Sequence, residues 1–394
     1  MARPSHNPTC SPLPLTTLRP SGIATAEFFA GIGLVAEALE PRGFTVAWAN
    51  DIARTKCDLY LLNRPHLLGN FVLGDVRRVH GDELPQVELA SASFPCVDLS
   101  LAGNRRGLAG GRSGMLWEFT RILAEMQERR PRVLLIENVP GFASSNGGND
   151  LRGALQRLSS LGYSCDVLSI NARHFVPQSR QRMFIVAISG DLPKNAQFGI
   201  PPLSDTRPPW VRAVHAANID LPLHYMELSR LPAGPADMST VIEHLDASDS
   251  RWWDEARTKS FADSLSSGQL ARFEDLKARP TMTWRTAYRR TRRGQITWEI
   301  RADAIAGCLR TTSGGSSRQA LLQIGHGSTR LRWMTPLEYA RLMGAGDYKT
   351  EILTVNQALF GFGDAVVVDV IAWLADHYLL PTLRPYGQID HKWD

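Results

Sequence analysis

The chain has 394 residues, 43% of them hydrophobic and 21% charged, with a net charge of +5. That length suits one large domain plus a smaller one, and the composition excludes a chain disordered throughout. No apolar run is read as long enough to span a bilayer, and residues 1–21, rich in Pro, Ser and Thr, lack the apolar stretch of a secretory signal and are expected to form a flexible tail.

Residues Ala24 to Phe29 read as a buried strand closing on Ala30-Gly31-Ile32-Gly33, and helical spacing runs from Ile32 to Leu39. Phe44 to Ala49 read as the next strand, ending at Asn50-Asp51, with a helix from about Ala53 to Asn63. Phe71 to Leu73 close on Gly74-Asp75, and Val87 to Ser93 close on Phe94-Pro95-Cys96. Met115 to Arg129 read as a helix, and Val133 to Ile136 as an apolar strand ending at Glu137-Asn138. Strands alternating with helices predict an α/β fold with a mostly parallel sheet and helices on both faces. In such sheets ligands lie beyond the carboxyl ends of the strands, where Asp51, Asp75, Cys96 and Glu137 all fall.

After Ile188 the alternation is lost. Prolines and glycines cluster between Pro193 and Pro235, and Ala233 to Lys277 are weakly helical and polar. Pro280 to Trp333 hold ten arginines against only Glu299 and Asp303, so the positive charge of the chain sits in this segment, the footprint of a polyanion site. Helical patterning returns at Thr335 to Met343 and in the apolar run Ala365 to Leu380. The reading is a discontinuous catalytic domain, 22–190 and 350–394, holding a smaller insert at 191–349.

Gly31-x-Gly33-x-x-Ala36 lets backbone approach a ligand at a helix N-terminus, and Asp51 could accept from ribose hydroxyls. This pattern fits a nicotinamide oxidoreductase about as well as a methyl-transfer enzyme. Five scattered cysteines with no Cys-x-x-Cys pair suggest neither a disulfide framework nor a zinc site, and fit a reducing cytoplasm. Cys96 stands apart, in a loop at the ligand edge followed by Val97 to Gly107, where Ser100, Arg105 and Arg106 can meet phosphate. Glu137 offers a carboxyl group to the cleft, and Arg180 and Arg182, two apart before the run Met183 to Ile188, put two guanidinium groups on one face.

Taken in order, Glu27-Phe28-Phe29-Ala30-Gly31-Ile32-Gly33, Phe94-Pro95-Cys96, Glu137-Asn138-Val139 and Gln178-Ser179-Arg180-Gln181-Arg182 resemble the cytosine-5 DNA methyltransferase family of restriction-modification type. Arg332 to Gly344 and Gln357 to Val368 are similar to its ninth and tenth motifs, so the resemblance covers about residues 24 to 380. It implies the fold of S-adenosylmethionine-dependent methyltransferases, a target-recognition insert, and methyl transfer from S-adenosylmethionine to C5 of a flipped-out cytosine, leaving S-adenosylhomocysteine. Phe29, Gly31, Ile32, Gly33, Asp51, Ile52, Asp75, Val76, Pro95, Leu116, Asp364 and Val366 would hold the cofactor. Cys96 would add to C6 and make C5 nucleophilic, Glu137 would bind the base edge, and Arg180 with Arg182 would steady the nucleotide. No metal is needed for that chemistry.

Arg285, Arg289, Arg290, Arg292, Arg293 and Arg318, interleaved with Trp284, Tyr288 and Trp298, are the candidates for DNA contact. Three positions depart from the family pattern: Val97 where Gln is usual, Cys308 where Thr precedes Leu309, and Asp364 where Asn is usual. Double-stranded DNA is the expected partner, with a restriction nuclease acting independently, no membrane, a monomeric state and a cytoplasmic setting in a bacterium or phage. Three alternatives stay open at this point: a transfer-RNA methyltransferase of the same fold, the nicotinamide oxidoreductase, and a catalytically dead DNA-binding module.

Overall fold

The computed structural model describes residues 22–94, 114–292, 294–311, 318–352 and 354–384, with side chains omitted at 291, 292 and 295. The expected tail 1–21, the positions Pro95, Cys96, Ser100, Arg105, Arg106 and Arg293, and the side chain of Arg292 lie outside the described residues. Seven strands form the large sheet: β1 (Ile23–Phe28), β2 (Phe44–Asp51), β3 (Phe71–Leu73), β4 (Leu89–Ala92), β5 (Val133–Asn138), β6 (Tyr163–Asn171) and β7 (Gln181–Ser189). Their order is β3-β2-β1-β4-β5-β7-β6. The pairs among β1 to β5 are parallel, whereas β7 runs antiparallel to both neighbours. The reversal has a simple cause: Ala172 to Arg180 is too short a link for the crossover that a parallel neighbour of β6 requires.

Helices α1 (Leu34–Leu39), α2 (Arg54–Asn63), α3 (Met115–Glu125), α4 (Gly141–Ser144) and α5 (Asn149–Ser160) connect the strands. Alternation along β5 divides the core. Val133 and Leu135 pack with Leu34 and Leu39 of α1, while Leu134 and Ile136 pack with Phe119 and Ile122 of α3 and Leu151 and Leu155 of α5. Helices therefore cover both faces, as the near-continuous apolar strands require.

Beyond β7 the chain makes a short pair, β8 (Ala196–Phe198) and β9 (His224–Met226), around α6 (Pro209–Ala217). Then α7 (Glu255–Asp263) and α8 (Ser267–Ala278) precede an antiparallel sheet of β10 (Thr283–Arg292), β11 (Gln295–Ile300), β12 (Ala320–Gly325) and β13 (Ser328–Trp333), ordered β11-β10-β12-β13. Phe261, Phe273, Ala287, Trp298, Leu322 and Leu331 give this sheet and its helices a core of their own. The flanks of 191–349 pack elsewhere: Val211 and Leu223 join one core of the large sheet, and Met238, Ile242 and Leu342 join the other. The packing division thus lies inside the boundaries read from the loss of alternation, because short proline-rich elements still cover the large sheet.

The described residues close with α9 (Pro336–Leu342), α10 (Val355–Asp364) and α11 (Val368–Leu374), the last continuing helically to Leu383. A capping box of Thr335 and Glu338 starts α9. By length and composition Val355–Leu383 is apolar enough to cross a membrane, which corrects the reading that no such run exists. Ile371, Leu374, Tyr378 and Leu379 are buried against the large sheet, so the run is accounted for as core helix.

Candidate active site

The ends of β1 and β2 build one side of the site. Phe29 takes a positive φ of 56° where β1 gives way to the turn, and Gly31 (59°) and Gly33 (83°) follow in the same region. A side chain at Gly33 would also strike the Tyr60 ring at 2.7 Å, so glycine is required there twice over. Asp51 fixes the turn: one carboxylate oxygen accepts from the Gly31 amide at 2.9 Å and the other from the Ala53 amide at 2.8 Å. Phe29 is partly exposed and Ile52 is exposed, so both can face a ligand. Ile32 is buried in the core, and its carbonyl accepts from the Tyr348 hydroxyl. A turn with exposed backbone, two flanking apolar side chains and a fixed carboxylate suits a nucleoside.

The third strand end differs from the reading in detail. The Asp75 carboxylate caps its own turn through the Arg77 amide at 3.0 Å and pairs with the Arg77 guanidinium, and these bonds hold its pKa below the ordinary carboxylate value. Val76 and Leu116 are buried with Phe119, so their side chains back this wall from the core.

The ends of β4 and β5 build the other side. Asn138 donates to the Phe94 carbonyl at 3.4 Å, tying β5 to the last described residue before Pro95. Beside it Glu137 pairs with Arg182 Nε at 2.8 Å, both largely buried. They line a pocket with Ile170, Arg180, Phe184 and Val366. Arg180 is buried and turns its guanidinium to backbone, donating to the carbonyls of Leu309 at 2.7 Å, Gly363 at 3.1 Å and Ala365 at 2.7 Å. Both arginines approach Cys308, at 3.4 Å from Arg180 and 3.9 Å from Arg182. Burial alone would raise the Cys308 thiol, but the charges of Arg180, Arg182 and Arg310 outweigh it and hold its pKa below the ordinary value.

Several residues complete this frame that the sequence did not single out for such roles. Gln178 donates to the Leu342 carbonyl at 2.8 Å and accepts from the Leu309 amide at 3.1 Å. Gly307 exchanges two hydrogen bonds with the Gln319 side chain. A Cβ at Gly363 would meet the backbone of Arg310 and Thr311 at 2.8 and 2.9 Å, so α10 approaches that segment as only glycine allows. Asp364 then accepts from Thr311 Oγ1 at 2.6 Å and pairs with Lys56 Nζ at 3.0 Å. Lys56 carried no sequence signal beyond being a helix-surface lysine.

The arginines of the second sheet separate by face. Arg285 is buried and bonded to the Trp284 carbonyl at 2.7 Å. Arg289 lies over Trp298 and Trp333, and Arg318 lies 5.0 Å from the Trp333 ring centroid, which are cation–π distances. Arg290, on the opposite face from Arg289, is exposed and paired with Glu299 at 3.1 Å.

A profile of the C-5 cytosine-specific DNA methylase family matches residues 23–379. The Type II methyltransferase M.HhaI of Haemophilus parahaemolyticus is 30% identical over 183 residues, 46% of this chain and 54% of that relative. The Type II methyltransferase M.Bsp6I of Bacillus sp. (strain RFL6) is 31% identical over 180 residues, 45% of this chain and 56% of that relative. The aligned part of the chain thus spans about half the length of these relatives. In structure the chain is similar to the S. pombe Dnmt2 methyltransferase, with a TM-score of 0.58 and 18% identity over 91% of this chain and 98% of that one, a likeness of fold. The ordered strand ends, the Glu137–Arg182 pocket and the family match from 23 to 379 place this chain in the C-5 cytosine-specific DNA methylase family.

Proposed function

We propose that this protein transfers a methyl group from S-adenosylmethionine to C5 of a cytosine flipped out of duplex DNA, with Cys96 as the nucleophile. The observation that carries the reading is the ion pair at the end of β5, where the Glu137 carboxylate is held at 2.8 Å by Arg182 next to the strand end that leads to Pro95 and Cys96. A pyrimidine edge entering there meets an acceptor and a cation already oriented, as stabilisation of charge on the base requires. Arg180 acts as a positioning residue, since its two terminal nitrogens donate to the carbonyls of Leu309, Gly363 and Ala365.

The Gly31–Gly33 turn fits the cofactor: Asp51 is fixed to accept from ribose hydroxyls, with Phe29 and Ile52 free to flank a flat base. When bound, S-adenosylmethionine supplies an electrophilic methyl group on its sulfonium. The chain's own work is to hold that group against the pocket, present the Cys96 thiolate to C6, and keep the base extruded. Expulsion of Cys96 follows loss of the C5 proton. The exposed face of the second sheet, with Arg290 beside Tyr288, is where this reading puts DNA, while Arg289 and Arg318 brace the tryptophans on the other face, and about 244–333 is the proposed recognition unit. Relatives named Type II methyltransferases support a modification enzyme; a monomer in the cytoplasm, with a restriction nuclease acting independently, completes the proposal.

Transfer of a labelled methyl group to duplex DNA and to transfer RNA tests the substrate. The expected product is 5-methylcytosine in duplex DNA, with transfer RNA unlabelled and a rate about a hundredfold lower in Glu137→Gln. Label in transfer RNA alone, or on a base other than cytosine, overturns the reading.

A further inference from the structure

We infer that Lys56 and Asp364 form an ion pair built to receive the zwitterionic amino-acid end of the methyl donor. This rests on the methyl-transfer reading above and adds a charged subsite to it. The starting point is a misfit. The family pattern has a neutral Asn where this chain has Asp364, and a lone carboxylate there would repel the carboxylate at the end of S-adenosylmethionine.

The structure shows how the misfit is balanced. Asp364 ends α10, and its Oδ2 lies 3.0 Å from Nζ of Lys56 in α2, across a separation of 308 positions in the chain. Its Oδ1 accepts from Thr311 Oγ1 at 2.6 Å, so the carboxylate is held from two sides. Lys56 has three N–H donors and gives one to Asp364, which leaves two directions for a further acceptor. Both side chains keep solvent access, 25% for Lys56 and 45% for Asp364, so a ligand can reach the pair.

The location fits the same ligand. Lys56 lies in the first turns of the helix that follows Asp51, and the Asp364 and Asp51 charges outweigh burial to raise its pKa. Asp364 lies two residues before Val366, which lines the pocket of Glu137 and Arg182. The pair therefore joins the element that would hold the ribose to the element that walls the base pocket. A donor spanning those two places has one more group to seat, an arm with an ammonium and a carboxylate. An ion pair is its complement: Asp364 accepts from the ammonium and Lys56 donates to the carboxylate. A neutral Asn offers hydrogen bonds to this arm but no charge.

Titration calorimetry on the full chain tests this with two probes, S-adenosylhomocysteine and 5′-methylthioadenosine. The second is the same thioether nucleoside with a methyl group in place of the charged arm. The wild type should prefer S-adenosylhomocysteine by at least about tenfold. Lys56→Met should lose most of that preference while 5′-methylthioadenosine binding stays within about twofold, and Lys56→Arg should keep it. Lys56→Met combined with Asp364→Asn should recover part of the loss, because the uncompensated carboxylate is gone. Equal weakening of both probes by Lys56→Met means a structural role and overturns the inference, as does an unchanged preference. A wild type that binds both probes equally overturns the subsite alone; one that binds neither overturns the methyl-donor reading and the subsite with it.

Discussion

Glu27 sits near the end of β1, directly before the turn of Phe29 to Gly33, and is fully buried. Its Oε2 accepts from the Tyr60 hydroxyl at 2.8 Å, while Oε1 has no hydrogen-bond partner. Burial pushes its pKa from 4.5 up to about 7, against the opposing pull of the Tyr60 bond and the Arg64 charge. A carboxyl group whose pKa is raised on folding contributes stability that is fully present below the ordinary value and is lost as pH rises through about 7. The shift corresponds to on the order of 3 kcal/mol. Glu27→Gln keeps an acceptor for Tyr60 and cannot ionise. It should therefore melt at a higher temperature than the wild type at pH 8, with the gap closing toward pH 4.5. Thermal denaturation across that range checks this, and a gap independent of pH contradicts it.

At the scale of elements, the strand ends were legible because an apolar run closing on a polar residue is a local pattern. Asp51, Asp75 and Glu137 all fall at such closures, and the residues that fold β1, β2 and β5 are the ones the pattern marks. The second sheet was not legible. Along β10 the alternation is of arginine, aromatic and small residues, and Arg285 and Arg289 stand on the same face as the buried Ala287. Arginines packed on tryptophans erase the polar and apolar contrast that marks a strand. The Lys56–Asp364 pair was invisible for another reason, since only the fold brings α2 to α10. The join between the second sheet and α9 rests on Arg332 and Glu338, a fully buried pair with Nη1 to Oε2 at 2.8 Å. Arg332→Met should cost about 3–5 kcal/mol in urea unfolding, because it strands a buried carboxylate. By contrast, Lys259→Ala, which removes an exposed pair with Asp263, should change stability by less than about 1 kcal/mol. Equal effects of the two substitutions contradict this assignment.

Across the whole molecule, a second buried polar network fastens the final helix to the large sheet. Arg207 grips Asp166 through two bonds of 2.9 Å, Tyr378 donates to Asp166 at 3.0 Å, and His224 bonds the Tyr378 hydroxyl at 2.9 Å. Burial, and next the Arg207 charge, lower His215 and His224 from 6.5 to about 4. A histidine whose pKa falls on folding contributes stability that is present above the ordinary value and is lost as pH drops toward the folded one. Glu27 acts in the opposite sense over much of the same range, as does Asp166, whose pKa burial also raises, so the measurement uses the Glu27→Gln background and compares variants within it. There, stability should fall as pH goes from about 6.5 to about 4, by on the order of 3 kcal/mol for each histidine. His224→Gln should flatten part of that slope; a slope that does not respond places the acid sensitivity elsewhere.

The central claim, a thiolate of Cys96 adding to cytosine C6, is tested most directly by trapping. Duplex DNA bearing 5-fluorocytosine is incubated with the protein and S-adenosylmethionine. Fluorine at C5 cannot leave as a proton, so Cys96 stays bonded to the base. The account predicts a covalent complex that survives denaturation and is absent in Cys96→Ser. A complex that persists in Cys96→Ser, or no complex from protein that methylates the unfluorinated duplex, contradicts it.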